Sequence, residues 1–368
     1  GSIHSPLAEG CHQLIRQGMG HSRIFEVMFP GDPCQAYLVN DNSLAENTLV
    51  VAHVIGHADF AKNNHLFARF MQMAGGHILE KAAERAHAIE QALARYGQER
   101  VESILDTALA LEPHIDINQA IHRPTYPTGE LSRSTAKSAG HFAKRFHRLP
   151  GEADINPISQ AMRVSSCIPP SPEYDLLWFI ANYAPELEGW ERDIFLAVRE
   201  ESFYFFPVFT CQIMNEGWAS YWHARLLREA DFLPSDLYLS AIKAHSDVVR
   251  PYGADNQLSL AINPYHLGFS IWEELIENRG IDAARQICRE EDDFGFIRNY
   301  LSAELADKLE IFTYDTDQEG RIRVGERNIH LLRETILAPK FNYGVPRISV
   351  TKLNADGSLE MMHDHQDD

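Results

Sequence analysis

Two long apolar stretches without proline set the architecture of this chain. Leu44 to Phe70 and Val208 to Ala230 contain a single glycine each, and only helices hold apolar runs of that length. Asp41-Asn42-Ser43 supplies cap residues ahead of the first, which reads as one long helix or two consecutive ones. Pro207 marks a kink or a new start ahead of the second, which reads as one long buried helix. The 368 residues are 45% hydrophobic and 23% charged, so both stretches have ample apolar material to pack against.

The remaining segments extend the helical pattern. After Gly75-Gly76, apolar positions from His77 to Tyr96 step by three or four, and Gly97 stops the run. Glu99 to Leu111, Tyr174 to Tyr183, Trp190 to Phe206, Asp236 to Val249, Leu267 to Asn278 and Asp282 to Glu290 also read as helices. Near the start, Ile24–Phe29 and Ala36–Val39 flank Pro30-Gly-Asp-Pro33, a hairpin pattern. Residues 113–172 form a long irregular crossing rich in Pro, Ser, Arg and His. Short alternating runs mark the tail at Ile311–Tyr314, Arg321–Val324, Arg347–Thr351 and Leu359–Met362, with Asn354–Gly357 as a hairpin turn. The fold class is mainly α. Residues 3–305 read as a helical core, and 306–368 as a small α+β appendage, read as truncated.

Charge and cysteine usage narrow the function classes. Lys+Arg is 33 against Asp+Glu 52, a formal net charge of −19, which disfavours nucleic acid as a partner. The basic stretch from Arg133 to Arg148 reads as a solvated connection, with an anion or partner-docking patch as the alternative. Five cysteines with no C-x-x-C spacing fit free thiols in the cytoplasm. No run approaches the ~18–20 apolar residues that a membrane helix requires. No secretory leader is visible, and Gly1-Ser2 reads as an expression scar.

Two segments carry chemistry. In Val51-Ala-His53-Val-Ile-Gly-His57-Ala-Asp59, the two histidines are four apart on a helix, so both imidazoles share one face. H-E-x-x-H helices present two nitrogens to zinc in this way. In Met214-Asn-Glu216-Gly-Trp-Ala-Ser-Tyr-Trp-His223, Glu216, Ser220 and His223 form a polar stripe on an apolar helix. A buried carboxylate there must be paired or coordinated, and Gly217 leaves room for a second helix. The segment resembles the E-G-W-A-x-Y of some zinc peptidases, in which the glutamate is the third ligand. His53, His57 and Glu216 are therefore the candidate metal ligands, with zinc favoured and iron or manganese possible for the same set. A satisfied buried polar network is the competing reading. Val54 stands where H-E-x-x-H enzymes carry the glutamate base, so another group must take that proton. Glu200, Glu201 and His223 are the candidates, Glu201 and His223 foremost. Asp59 is expected either to orient a ligand histidine or to serve as a cap.

These segments identify a resemblance to the stage V sporulation protein R (SpoVR) family. It rests on A-H-V-I-G-H-A-D-F-A-K-N-N (Ala52 to Asn64), D-L-L-W-F-I (Asp175 to Ile180) and M-N-E-G-W-A-S-Y-W-H (Met214 to His223). N-P-Y-H-L-G-F (Asn263 to Phe269) and F-I-R-N-Y-L (Phe296 to Leu301) follow in the family's order. The family usually has a second phenylalanine where Ala61 stands, and an upstream His-Trp-Ser-Phe-Gly-Lys segment that this sequence lacks. A trimmed chain or a short member is the expectation. The resemblance implies a bacterial cytoplasmic protein tied to spore cortex formation or to stress physiology, working beside a serine kinase of the same gene neighbourhood. It implies no reaction. From spacing, the core resembles zinc-peptidase-like helical folds. The reading favoured here is a metal-binding regulatory protein on a metallohydrolase-like frame. An active amide or peptide hydrolase and a metal-free scaffold are the alternatives.

Overall fold

The computed structural model describes residues 26–73, 78–118, 167–248, 263–312, 314–316, 322–324 and 328–364. The basic segment and most of the 113–172 crossing lie outside them. The chain opens with the hairpin β1 (Glu26–Phe29) and β2 (Gln35–Leu38), followed by α1 (Leu44–Asn63), α2 (His65–Met73), α3 (Ile78–Tyr96) and α4 (Gln98–Ala110). Next come α5 (Leu176–Tyr183), α6 (Gly189–Thr210), α7 (Gln212–Arg228), α8 (Ser235–Val248), α9 (Pro264–Arg279) and α10 (Ile281–Glu290). Three short helices follow, α11 (Asp293–Tyr300), α12 (Ala303–Lys308) and, after the hairpin β3 (Tyr314–Thr316) and β4 (Ile322–Val324), α13 (Ile329–Leu337). The antiparallel pair β5 (Arg347–Leu353) and β6 (Leu359–Asp364) ends the described chain. Among the described residues no helix is long and apolar enough to cross a membrane. The fold is mainly helical.

Two compact units divide the chain, and neither is continuous in sequence. One comprises described residues of Gly1–Glu84 and Phe203–Gly344, the other those of Arg85–Ser202 and Val345–Asp368. In the second, Leu176, Phe179 and Val350 form a small core, and Glu173 and Val350 exchange backbone hydrogen bonds at 2.9 and 2.8 Å.

The first unit holds the larger core, with Trp218, Trp272, Phe60, Phe67 and Phe296 fully buried. Within it α7 packs against both α1 and α9. A capping box starts α1: Ser43 Oγ accepts from Glu46 N at 3.2 Å, and Glu46 accepts from Ser43 N at 2.6 Å. Asn64 splits the first apolar stretch into two helices. Its side-chain amide donates to Cys288 O (2.8 Å) and Glu291 O (3.0 Å), while its Oδ1 accepts from Leu66 N at 2.9 Å. A buried amide so fully satisfied is a stable corner.

The second stretch breaks where its sequence gives no warning. The expected single helix over 208–230 is two: α6 runs through Pro207 to Thr210, and α7 begins at Gln212. A buried ion pair explains the break. Asp293 accepts from Ile213 N and Met214 N, both at 2.9 Å, and so caps the start of α7. Lys340 pairs with Asp293 at 2.8 Å and donates to Phe209 O at 2.9 Å, covering the end of α6.

Close helix approach depends on glycine. A Cβ on Gly56 of α1 would lie 2.6 Å from Ala219 Cα of α7. Gly217 and Gly268 meet backbone to backbone where α7 crosses α9, and a Cβ on Gly268 would collide with Ile213 O. In Gly268→Ala, the helix gain of about 1 kcal/mol opposes an overpacking cost of about 3 kcal/mol, because no side chain can move aside. A net loss of about 2 kcal/mol is expected, measurable as a shifted urea midpoint.

Candidate metal centre

The capped start of α7 and the α1 crossing bring the two chemistry-bearing segments together. His53 and His57 are one helical turn apart on α1 and both are buried, with ring centroids 4.4 Å apart. Glu216, on α7, faces them: its Oε2 is 3.5 Å from His53 Nε2 and 3.4 Å from His57 Nε2. Among the described residues no hydrogen-bond partner satisfies that buried oxygen. The separations exceed the ~2.7–2.9 Å of a charge-assisted hydrogen bond. They match the edge of about 3.3 Å expected of a tetrahedron with bonds of about 2.0–2.1 Å. One ligand atom from each of the three residues lies within 4.8 Å of the others.

The outer nitrogens of both imidazoles are already engaged. His57 Nδ1 donates to Asn215 Oδ1 at 2.9 Å, which leaves Nε2 as the free lone pair toward Glu216. His53 Nδ1 meets His223 Nδ1 at 2.9 Å, and His223 Nε2 meets His245 Nδ1 of α8. With Nε2 of His53 free to coordinate, the chain has one consistent direction: His53 Nδ1–H donates to His223, and His223 Nε2–H donates to His245. Tyr265, at the start of α9, stacks beside His53 at 6.1 Å.

Electrostatics separate the inner and outer groups. Burial pushes the Glu216 carboxyl up, but the charge of His57 and polar contact with both imidazoles outweigh it and hold the carboxyl well below the usual range. Burial alone would lower His57, yet Glu216, then Asn215 and Glu26, raise it. Burial, with His53, His245 and His57 nearby, drives His223 well down. His245 falls to about 4 through burial, then Arg228 and His53. The outer pair is therefore neutral near pH 7, as hydrogen-bond links must be.

A pH dependence follows. A coordinating His57 must be neutral, whereas Glu216 favours its proton. Zinc affinity should fall as pH drops through the raised His57 value, approaching tenfold per pH unit for one displaced proton. Glu216 stays ionised across that window and adds no slope. Competition titration with a chromogenic chelator between pH 8 and 6 checks this.

The other expected residues are placed as follows. His223 joins the cluster as a partner of His53. Ser220, on the same stripe, is fully buried and its hydroxyl has no partner among the described residues. Glu201 belongs to the second unit, where Arg85 pairs with it at 3.4 Å and also with Glu200. Asp59 accepts from the Trp218 indole at 2.9 Å and from Asn63 at 3.1 Å, tying α1 to α7. Asn215, rather than Asp59, holds the His57 imidazole. Cys211 is a buried thiol that burial raises well above its ordinary value. Sequence reasoning missed Glu26, on β1. Burial raises its carboxyl, while His53 and His57 pull it down and Glu216 pushes it up, so it is electrostatically coupled to all three. Its one sequence signal is a lone charge in the apolar run Ile24–Phe29.

The family profile described as SpoVR like protein matches residues 12–342. The chain belongs to the SpoVR-like family. It is 29% identical over 287 residues to the uncharacterized protein YcgB of Escherichia coli (strain K12). That match covers 74% of this chain and 52% of YcgB, so the chain spans about half the length of that relative. No solved structure matches it.

Proposed function

We propose that this SpoVR-like protein is a metal-binding protein, with zinc held by Nε2 of His53, Nε2 of His57 and the Glu216 carboxylate. The observation that carries this reading is the buried Glu216 oxygen, without a hydrogen-bond partner among the described residues and about equally distant from two Nε2 atoms whose rings are oriented from behind. The nitrogen-rich set favours zinc, and iron or manganese would accept it. Two histidines on one helix with a carboxylate on a distant one is the layout of zinc peptidases, and we read the helical frame as metallohydrolase-like. The biological setting comes from the resemblance: spore cortex formation or stress physiology in the bacterial cytoplasm, regulatory in character, beside a protein partner such as a serine kinase.

Elemental analysis of protein purified without a polyhistidine tag tests the centre. About one zinc per chain is expected, removable by chelation and lost in His57→Ala. Absence of stoichiometric metal, or its persistence in that variant, rejects the reading.

Glu26 favours a second reading, an active hydrolase of amide or peptide bonds. A bound zinc supplies Lewis acidity to such a reaction. Val54 can take no proton, and Glu26 is a carboxyl group coupled to the centre from a separate element. Here Asn215 and His223 hold the ligand imidazoles and Glu26 accepts the proton. Glu26→Gln should keep the metal and lose turnover.

A further inference from the structure

We propose that the cleft bounded by α8, α9 and the α12 region is a ligand site for amine-bearing peptides, linked to the metal centre through His223 and His245. The proposal rests on the metal reading and adds to it a ligand class and a place. The cleft holds about 880 Å³, within the ~300–1,000 Å³ of small-ligand sites. Its wall includes His245, the last member of the imidazole chain that begins at His53. Since His245 Nδ1 is taken by His223, only Nε2 remains for a ligand.

A second connection runs through the first turn of α9. Tyr265 stacks beside His53, and the next residue, His266, lines the cleft. One helical turn thus touches both places. Phe269 packs edge-on to His245 at 5.9 Å and gives the cleft an apolar surface.

The lining sets the sign of the ligand. Among the described residues that line it, Glu273, Glu274, Glu277 and Glu304 stand against one ammonium, Lys308. Carboxylates alone do not make a site; the volume and the imidazole chain do that. What the carboxylates decide is charge, and they favour a cationic group such as an amino terminus or a lysine side chain.

Calorimetric titration of the zinc-loaded protein with lysyl-lysine and with glutamyl-glutamate tests the cleft. Lysyl-lysine should bind, glutamyl-glutamate should not, and Glu273→Gln/Glu277→Gln should weaken lysyl-lysine about tenfold or more. No binding, or no preference between the two dipeptides, overturns the ligand assignment. The link is read separately, from the visible absorption of cobalt-substituted protein. Lysyl-lysine should shift that spectrum, His245→Ala should remove the shift, and His245→Asn should restore part of it. Binding without a spectral shift overturns the link. Failure of cobalt to bind, or binding unaltered in His57→Ala, sinks the metal reading and with it the link, whereas calorimetry still decides the cleft.

Discussion

Zinc at a thousandfold excess over its dissociation constant should stabilise the folded protein by about 4 kcal/mol, and Glu216→Gln should abolish that gain. The amide keeps the shape of the glutamate but removes the charge that faces both imidazoles. Replacing a residue that only orients a ligand typically weakens metal binding about 10–100-fold, so loss of the ligand itself should cost more. The same substitution isolates the purely structural alternative. If His53, His57 and Glu216 were only a polar network, Glu216→Gln would change stability equally with and without zinc. Urea titrations of both proteins, chelated and zinc-loaded, give the four numbers required. Equal zinc response in the two proteins would refute the assignment.

Lys340→Met should destabilise the protein by about 3–5 kcal/mol. Asp293 is fully buried, and Lys340 is its ion-pair partner at 2.8 Å. Removing the ammonium leaves a carboxylate out of water and uncovers Phe209 O at the end of α6. Burial already pushes Asp293 up despite Lys340 and its two backbone donors. Without Lys340 the shift grows, so the deficit is greatest above the folded Asp293 value and shrinks as pH falls toward the ordinary carboxylate range. Lys340→Met/Asp293→Asn should recover much of the loss, since the amide can still accept from one of the two donors. A double mutant no better than Lys340→Met would place the cost elsewhere.

The helices were legible where apolar periodicity ran long, and three short ones were not. Residues Asp293–Tyr300, Ala303–Lys308 and Ile329–Leu337 are too brief to establish a period, although Asp292, Ser302 and Asn328 cap them in the usual way. The break at Cys211 was invisible because its cause lies far along the chain, in Asp293 and Lys340. Proline at 207 pointed to the right neighbourhood and the wrong residue. For the candidate centre, i,i+4 spacing picked out His53 and His57, while a polar stripe and the likeness to a zinc-peptidase segment picked out Glu216, and the fold brings the three together. Their supports were harder to see. Asn215 sits one residue before Glu216 and had no distinguishing mark, and His245 becomes relevant only through His223. The discontinuous units were equally hidden, since nothing local tells residues 345–364 to join Glu173.

The packing of α1 against α7 also has a consequence in time. About 160 residues separate the histidine pair from Glu216. At roughly 5–20 residues per second, a ribosome completes the first helix on the order of 10–30 s before it makes the carboxylate. Throughout that interval the nascent chain displays two imidazoles without their third partner, so any ion held by all three would have to arrive after synthesis has passed α7.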